Sequence, residues 1–134
     1  MRLATATLGM AILAGAAGVG AQQAAAPSLK RTVLQQVDFS QPGHEAVTAI
    51  AELPVGATSG RHSHPGEEIG YVMEGTLFLE LDGKPAMTLE AGKTFSIPSG
   101  AIHNATNKTN GTVKILSTYL VEKGKPLATP APAK

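Results

Sequence analysis

Turn-forming residues interrupt this chain repeatedly after residue 30, and their spacing is the strongest constraint on its fold. Pro42-Gly43, Pro54-Val55-Gly56, Pro65-Gly66, Asp82-Gly83, Ala91-Gly92, Pro98-Ser99-Gly100 and Asn110-Gly111 bound segments rich in β-branched and aromatic residues. Strands are predicted over 31–38, 45–53, 69–73, 76–81, 86–89, 94–97, 102–106 and 112–121. Within 76–81, Leu77, Leu79 and Leu81 share one face while Glu80 takes the other. Asp82-Gly83 predicts a two-residue hairpin turn, because glycine accepts the positive φ such a turn requires. No sustained helical period follows residue 30. The expected class is all-β, an antiparallel sandwich or barrel. The segment 112–121 is partly apolar on both faces, which fits either an outer-wall strand at a subunit interface or a core strand between two sheets.

The ends read differently. Arg2 is the only charge in residues 1–26, and an apolar run of twelve residues from Leu8 to Val19 follows it. That run is too short to cross about 30 Å of hydrocarbon as a helix. With the small residues at Val19-Gly20-Ala21 it predicts a signal peptide over 1–21, cleaved after Ala21, and an exported protein, periplasmic or secreted. A cut before Pro27, a buried N-terminal helix and an uncleaved anchor are the alternatives. Residues 22–30 read as a flexible leader, 31–123 as one barrel domain, and the Pro/Ala-rich 124–134 as an extended or disordered tail. No internal repeat divides the domain.

Lys+Arg is 11 and Asp+Glu is 10, giving a net charge of +1. There is no basic run, and the aromatics do not interleave with Lys or Arg, so nucleic-acid binding is not expected. Removing 1–21 takes away Arg2 and no acid, leaving a neutral chain with no stable membrane anchor expected. Cysteine is absent, which excludes disulfides, thiolate nucleophiles, Cys-type metal sites and a lipid-anchored N-terminus. A bound metal ion must be held by His, Asp or Glu.

Three of the four histidines are placed for that purpose. His62 and His64 are one residue apart, a spacing that sends both rings to one face of a strand. Glu68 follows through Pro65-Gly66, and His103 opens a later strand after Pro98-Ser99-Gly100. Three imidazoles and a carboxylate suit divalent iron, manganese, nickel, cobalt, copper or zinc. On a six-coordinate ion they leave two positions open for substrate or dioxygen.

These residues carry a close resemblance to the cupin superfamily. Gly56, five residues, His62-x-His64, three residues, Glu68, six residues and Gly75 match its first signature. Gly92, five residues, Pro98-x-Gly100, two residues, His103, three residues and Asn107 match its second, and sixteen residues separate the two. HSHPGEEIGYVMEG, from His62 to Gly75, is similar to small bacterial single-domain cupins and to germins. The resemblance implies a six- to eight-stranded β-barrel of jelly-roll type, commonly dimeric. One metal ion, iron or manganese first among the candidates, would be held inside it by His62, His64, Glu68 and His103. Glu67 competes for the carboxylate role, but only Glu68 has six residues between it and Gly75, and alternation turns Glu67 outward. Asn107 is expected to tie a loop, and His44 matches no signature position.

Strand alternation from Glu68 puts Gly70 and Val72 inward, and Gly70 is expected to leave open volume beside the ion. Phe95, Ile97, Leu77, Leu79 and Met87 are candidate walls. No Arg or Lys is placed to clamp a substrate, since Arg61 points away from His62. Two functions are implied: a metalloenzyme acting on a small organic molecule, dioxygenase-type before lyase or isomerase, with Glu68 also a proton acceptor; or a non-catalytic binding protein. No helix-turn-helix segment is legible, which disfavours a transcriptional sensor.

Overall fold

A computed structural model describes residues 25–134; the proposed signal peptide lies outside the described residues. Among them there are ten strands and no helix. They are β1 (Lys30–Asp38), β2 (His44–Leu53), β3 (His62–Ser63), β4 (Gly66–Glu74), β5 (Thr76–Leu81), β6 (Met87–Glu90), β7 (Thr94–Ile97), β8 (His103–Thr106), β9 (Val113–Glu122) and β10 (Thr129–Pro130). Two antiparallel five-stranded sheets form, in the orders β1-β2-β9-β4-β7 and β10-β3-β8-β5-β6.

Period-two alternation explains how the sheets face each other. Along β4, Gly66, Glu68, Gly70 and Val72 are buried while Glu67, Ile69, Tyr71 and Met73 are exposed. Ala51, Leu53, Val72 and Ile115 from the first sheet meet Leu77, Leu79, Leu81 and Ala105 from the second in one core. β9 lies between β2 and β4, and its inward row (Val113, Ile115, Ser117, Tyr119, Val121) is buried. The inward row of this segment is therefore core, and its outward row is half-buried.

The structure departs from the expected elements in three places. The two-residue strands β3 and β10 are too short to carry a period, and each is defined by its partners. Asp82-Gly83 does not form a two-residue hairpin. Leu79 still pairs with Met87, the amide of Lys84 donates to the carbonyl of Leu81 at 3.0 Å, and only Gly83 has positive φ. Asp82 and Gly83 are the centre of this turn, but Pro85, opposite Leu81, has no amide to donate, and pairing resumes only at Met87. Finally, the stretch read as a flexible leader meets the barrel at its end: Ser28 bridges Thr58, and apolar Leu29 packs against the core.

Asn107, fully buried, ties the far end as expected. Its Nδ2 donates to the carbonyls of Leu53 (2.9 Å) and Gly111 (2.7 Å), and its Oδ1 accepts from the amide of Thr109 (2.9 Å). Asn107→Ala strands these backbone groups inside the protein. It is expected to cost about 2–4 kcal/mol, read as a lowered urea midpoint; an unchanged midpoint would refute the tie.

Candidate metal centre

His62 in β3 pairs directly with His103 at the start of β8. His64 follows β3, and Glu68 lies on β4 between Ile97 of β7 and Tyr119 of β9. All four side chains are buried. The ring centroids stand 4.2 Å apart for His62–His103, 4.8 Å for His62–His64 and 5.0 Å for His64–His103. One ligand atom from each histidine lies within 4.8 Å of the others, close enough for one ion. Glu68 Oε2 stands 3.1 Å from His64 Nε2 and 3.5 Å from His103 Nε2.

The outward nitrogens are already committed. His62 Nδ1 reaches the carbonyl of Gly60 (2.8 Å), His103 Nδ1 that of Ala101 (3.0 Å), and His64 Nδ1 that of Leu127. A carbonyl oxygen only accepts, so each Nδ1 carries a proton, and Nε2 is the atom each ring has left to offer a metal ion. The Nε2 atoms of His64 and His103 therefore face a carboxylate oxygen, a contact that is favourable only with a proton or a metal cation between them. Consistent with this, His64 Nε2 is buried without a hydrogen-bond partner despite its closeness to Glu68. The donor set fits a divalent ion.

The titration of the groups agrees. Burial pushes His62 down to about 4, against the opposing pull of its bond to Gly60, so this ring is neutral at pH 7. Burial alone would raise Glu68. Its contacts with His103 and His64 and the hydroxyl of Ser117 outweigh that and hold it well below the usual carboxylate range.

Ser117 was not foreseen. Its Oγ donates to Glu68 Oε1 at 2.7 Å, leaving Oε2 for the histidines. The signal was a lone serine in the apolar inward row of β9. Arg31 was not foreseen either. It stands opposite Ala51 in the β1–β2 pair and lines the same cavity as His62, Glu68 and His103. Arg61 does point away, forked onto Asp82 at 2.7 and 2.8 Å. His44 bonds the carbonyl of Pro42 at the start of β2, outside the cluster.

The centre opens on an inner space of about 20 Å³, room for about one water-sized sphere. Phe95, Ile97 and Leu79 are walls of it, while Leu77 and Met87 belong to the surrounding core. The open volume expected at Gly70 is not there, because Phe95 fills it: a Cβ on Gly70 would lie 2.1 Å from that ring. A wider mouth of about 320 Å³ adjoins, with Leu29, Arg31, Ser59 and His62 lining both spaces.

The C-terminal residues form one wall of this mouth. β10 pairs with β3, Arg61 Nε donates to the carbonyl of Pro132 (2.9 Å), and Lys134 meets Asp82 (3.0 Å). A chain ending at Lys123 loses the acceptor that aims His64. Its metal affinity is expected to fall about 10- to 100-fold in competition with a chelator; wild-type affinity would show that the tail does not orient the ring.

The fold is an all-β double-stranded helix of strands, with three convergent histidines inside that could hold a metal ion. The chain belongs to the cupin family: the profile described as "Cupin domain" matches residues 49–119, just over half of it. The HTH-type transcriptional regulator PuuR of Escherichia coli is 38% identical over 87 residues, covering 64% of this chain and 46% of that protein. The chain thus spans about half the length of this relative. Among solved structures, the DMSP lyase DddQ from Ruegeria pomeroyi matches with a TM-score of 0.63 and 21% identity, over 77% of this chain and 51% of that one. A recombinant oxalate oxidase in complex with glycolate matches with a TM-score of 0.59 and 23% identity, over 75% and 54%. At these identities the structures bear on the fold alone.

Proposed function

We propose that this chain is an exported mononuclear metalloenzyme acting on a small organic molecule, with His62, His64, Glu68 and His103 as its ligands and iron or manganese as its ion. The observation that carries the reading is the convergence of three buried imidazoles and one ionised carboxylate at the inner end of a mouth of about 320 Å³. That volume is at the lower end of small-molecule sites. The bound ion would supply Lewis acidity and, as iron or manganese, redox chemistry of dioxygenase type ahead of lyase or isomerase chemistry. The residues do the rest: Ser117 fixes Glu68 Oε1, Oε2 can accept a proton from substrate, and Phe95, Ile97 and Leu79 exclude water. Oxalate oxidase and a DMSP lyase share this fold, so the scaffold admits an enzyme.

The test is elemental analysis of untagged protein from its native compartment, with the N-terminal residue determined on the same sample, followed by oxygen uptake and product screening with enolic, catechol-like and carboxylate substrates. One equivalent of iron or manganese, a start at Gln22 and turnover are expected. Metal without turnover of any substrate would favour a non-catalytic ligand-binding protein, the second reading, which the 38% identity to PuuR supports.

The homodimer belongs to the same reading. Ile69, Tyr71 and Met73 are exposed on the outer face of β4, beside the half-buried Leu116 and Leu120 of β9. An apolar face of this kind is self-complementary about a two-fold axis. Tyr71→Glu is expected to convert a dimer to monomer in sedimentation velocity; a wild-type monomer would dismiss it.

A further inference from the structure

Arg31 is the unspent cation of the barrel mouth. Its neighbour in sequence, Lys30, meets Glu52, and Arg61, the other arginine of the mouth, is forked onto Asp82. Among the described residues no carboxylate pairs with Arg31. Its guanidinium lies 5.5 Å from the centroid of the Tyr119 ring, and its Nε is buried without a hydrogen-bond partner. Withdrawing a guanidinium nitrogen from water without an acceptor costs free energy. The Tyr119 ring offsets part of that cost but offers Nε no acceptor.

Position supplies the explanation. Arg31 and His62 line both the inner space at the metal centre and the wider mouth, so one small molecule can meet both ends. The charge is also unbalanced. Among the described residues Glu68 is the only acid lining either space, and its single charge is fewer than a divalent ion would bring. Arg31 adds a further positive charge. The occupant that balances the cavity is therefore an anion, and a planar guanidinium matches a carboxylate through two parallel hydrogen bonds.

We propose that Arg31 is the specificity-determining residue of the pocket, and that the substrate class is a small carboxylate held with its carboxylate on Arg31 and its other oxygen toward the metal centre. This deepens the metalloenzyme reading and rests on it for the second contact alone.

Lactate and its neutral isostere lactamide are the probes, titrated calorimetrically into the full chain, metal-loaded and metal-free, with metal content measured separately. Wild type should prefer lactate. Arg31→Gln should weaken lactate roughly 10- to 100-fold while leaving lactamide and metal content unchanged. Arg31→Lys, which keeps the charge and loses the fork, should recover part of the affinity. If the protein holds no metal yet lactate binding still depends on Arg31, the metalloenzyme reading fails and the Arg31 assignment stands. Equal binding of lactate and lactamide by wild type, undiminished lactate binding by Arg31→Gln, or no lactate binding in either form would overturn it.

Discussion

Replacing His62 or His103 with alanine is expected to abolish stoichiometric metal while the barrel stays folded. Loss of a residue that merely orients a ligand costs about 10- to 100-fold in affinity, and removing a ligand outright should exceed that. Stability should suffer little by comparison. These rings line a space of about 20 Å³ and lie outside the hydrophobic core clusters, so their loss opens little packed volume. Metal analysis and circular dichroism on the same samples check both halves. Wild-type occupancy in either variant would sink the assignment of the site. His44→Ala, bonded only to the loop before β2, should change neither metal nor fold.

Gly66→Ala should act in the opposite way, on the fold first. A Cβ at this position would lie 1.9 Å from the carbonyl oxygen of Leu120 and 2.7 Å from Cα of Val121, both backbone atoms of the paired strand. No rotamer relieves such a contact, so β4 and β9 must separate. The expected loss is about 3 kcal/mol or more, at the upper end for overpacking, read from denaturant midpoints. Because Glu68 and Ser117 are held on these two strands, metal affinity should fall with it. A midpoint like that of wild type would mean that the strands yield more easily than their register suggests.

The contrast between these two sites shows what the sequence can carry. The alternation of Leu77, Leu79 and Leu81, and the inward placing of Glu68 against the outward Glu67, were legible because a strand turns every second side chain the same way and the apolar pattern announces it. The histidines were legible from spacing alone. Arg31 was not, because its inward direction follows from lying opposite Ala51, a pairing between strands that no local pattern records. Phe95 occupying the notch at Gly70 is likewise a fact about two strands and not about either. Likewise, β3 and β10 exist only through each other and β8, so the tail from Gly124 shows composition in sequence and a docked strand in space.

That docking also sets the order in which the protein can be finished. The ring of His64 is aimed by a carbonyl 63 residues further along, at Leu127, and β10 must cross back to β3 before the aim is fixed. A chain leaving the ribosome from its N-terminus makes all four ligand residues well before that carbonyl. Closing so long a loop is slow relative to local pairing. On the metalloenzyme reading, tight capture of the ion would thus be among the last events of maturation, and its retention would report that β10 has docked.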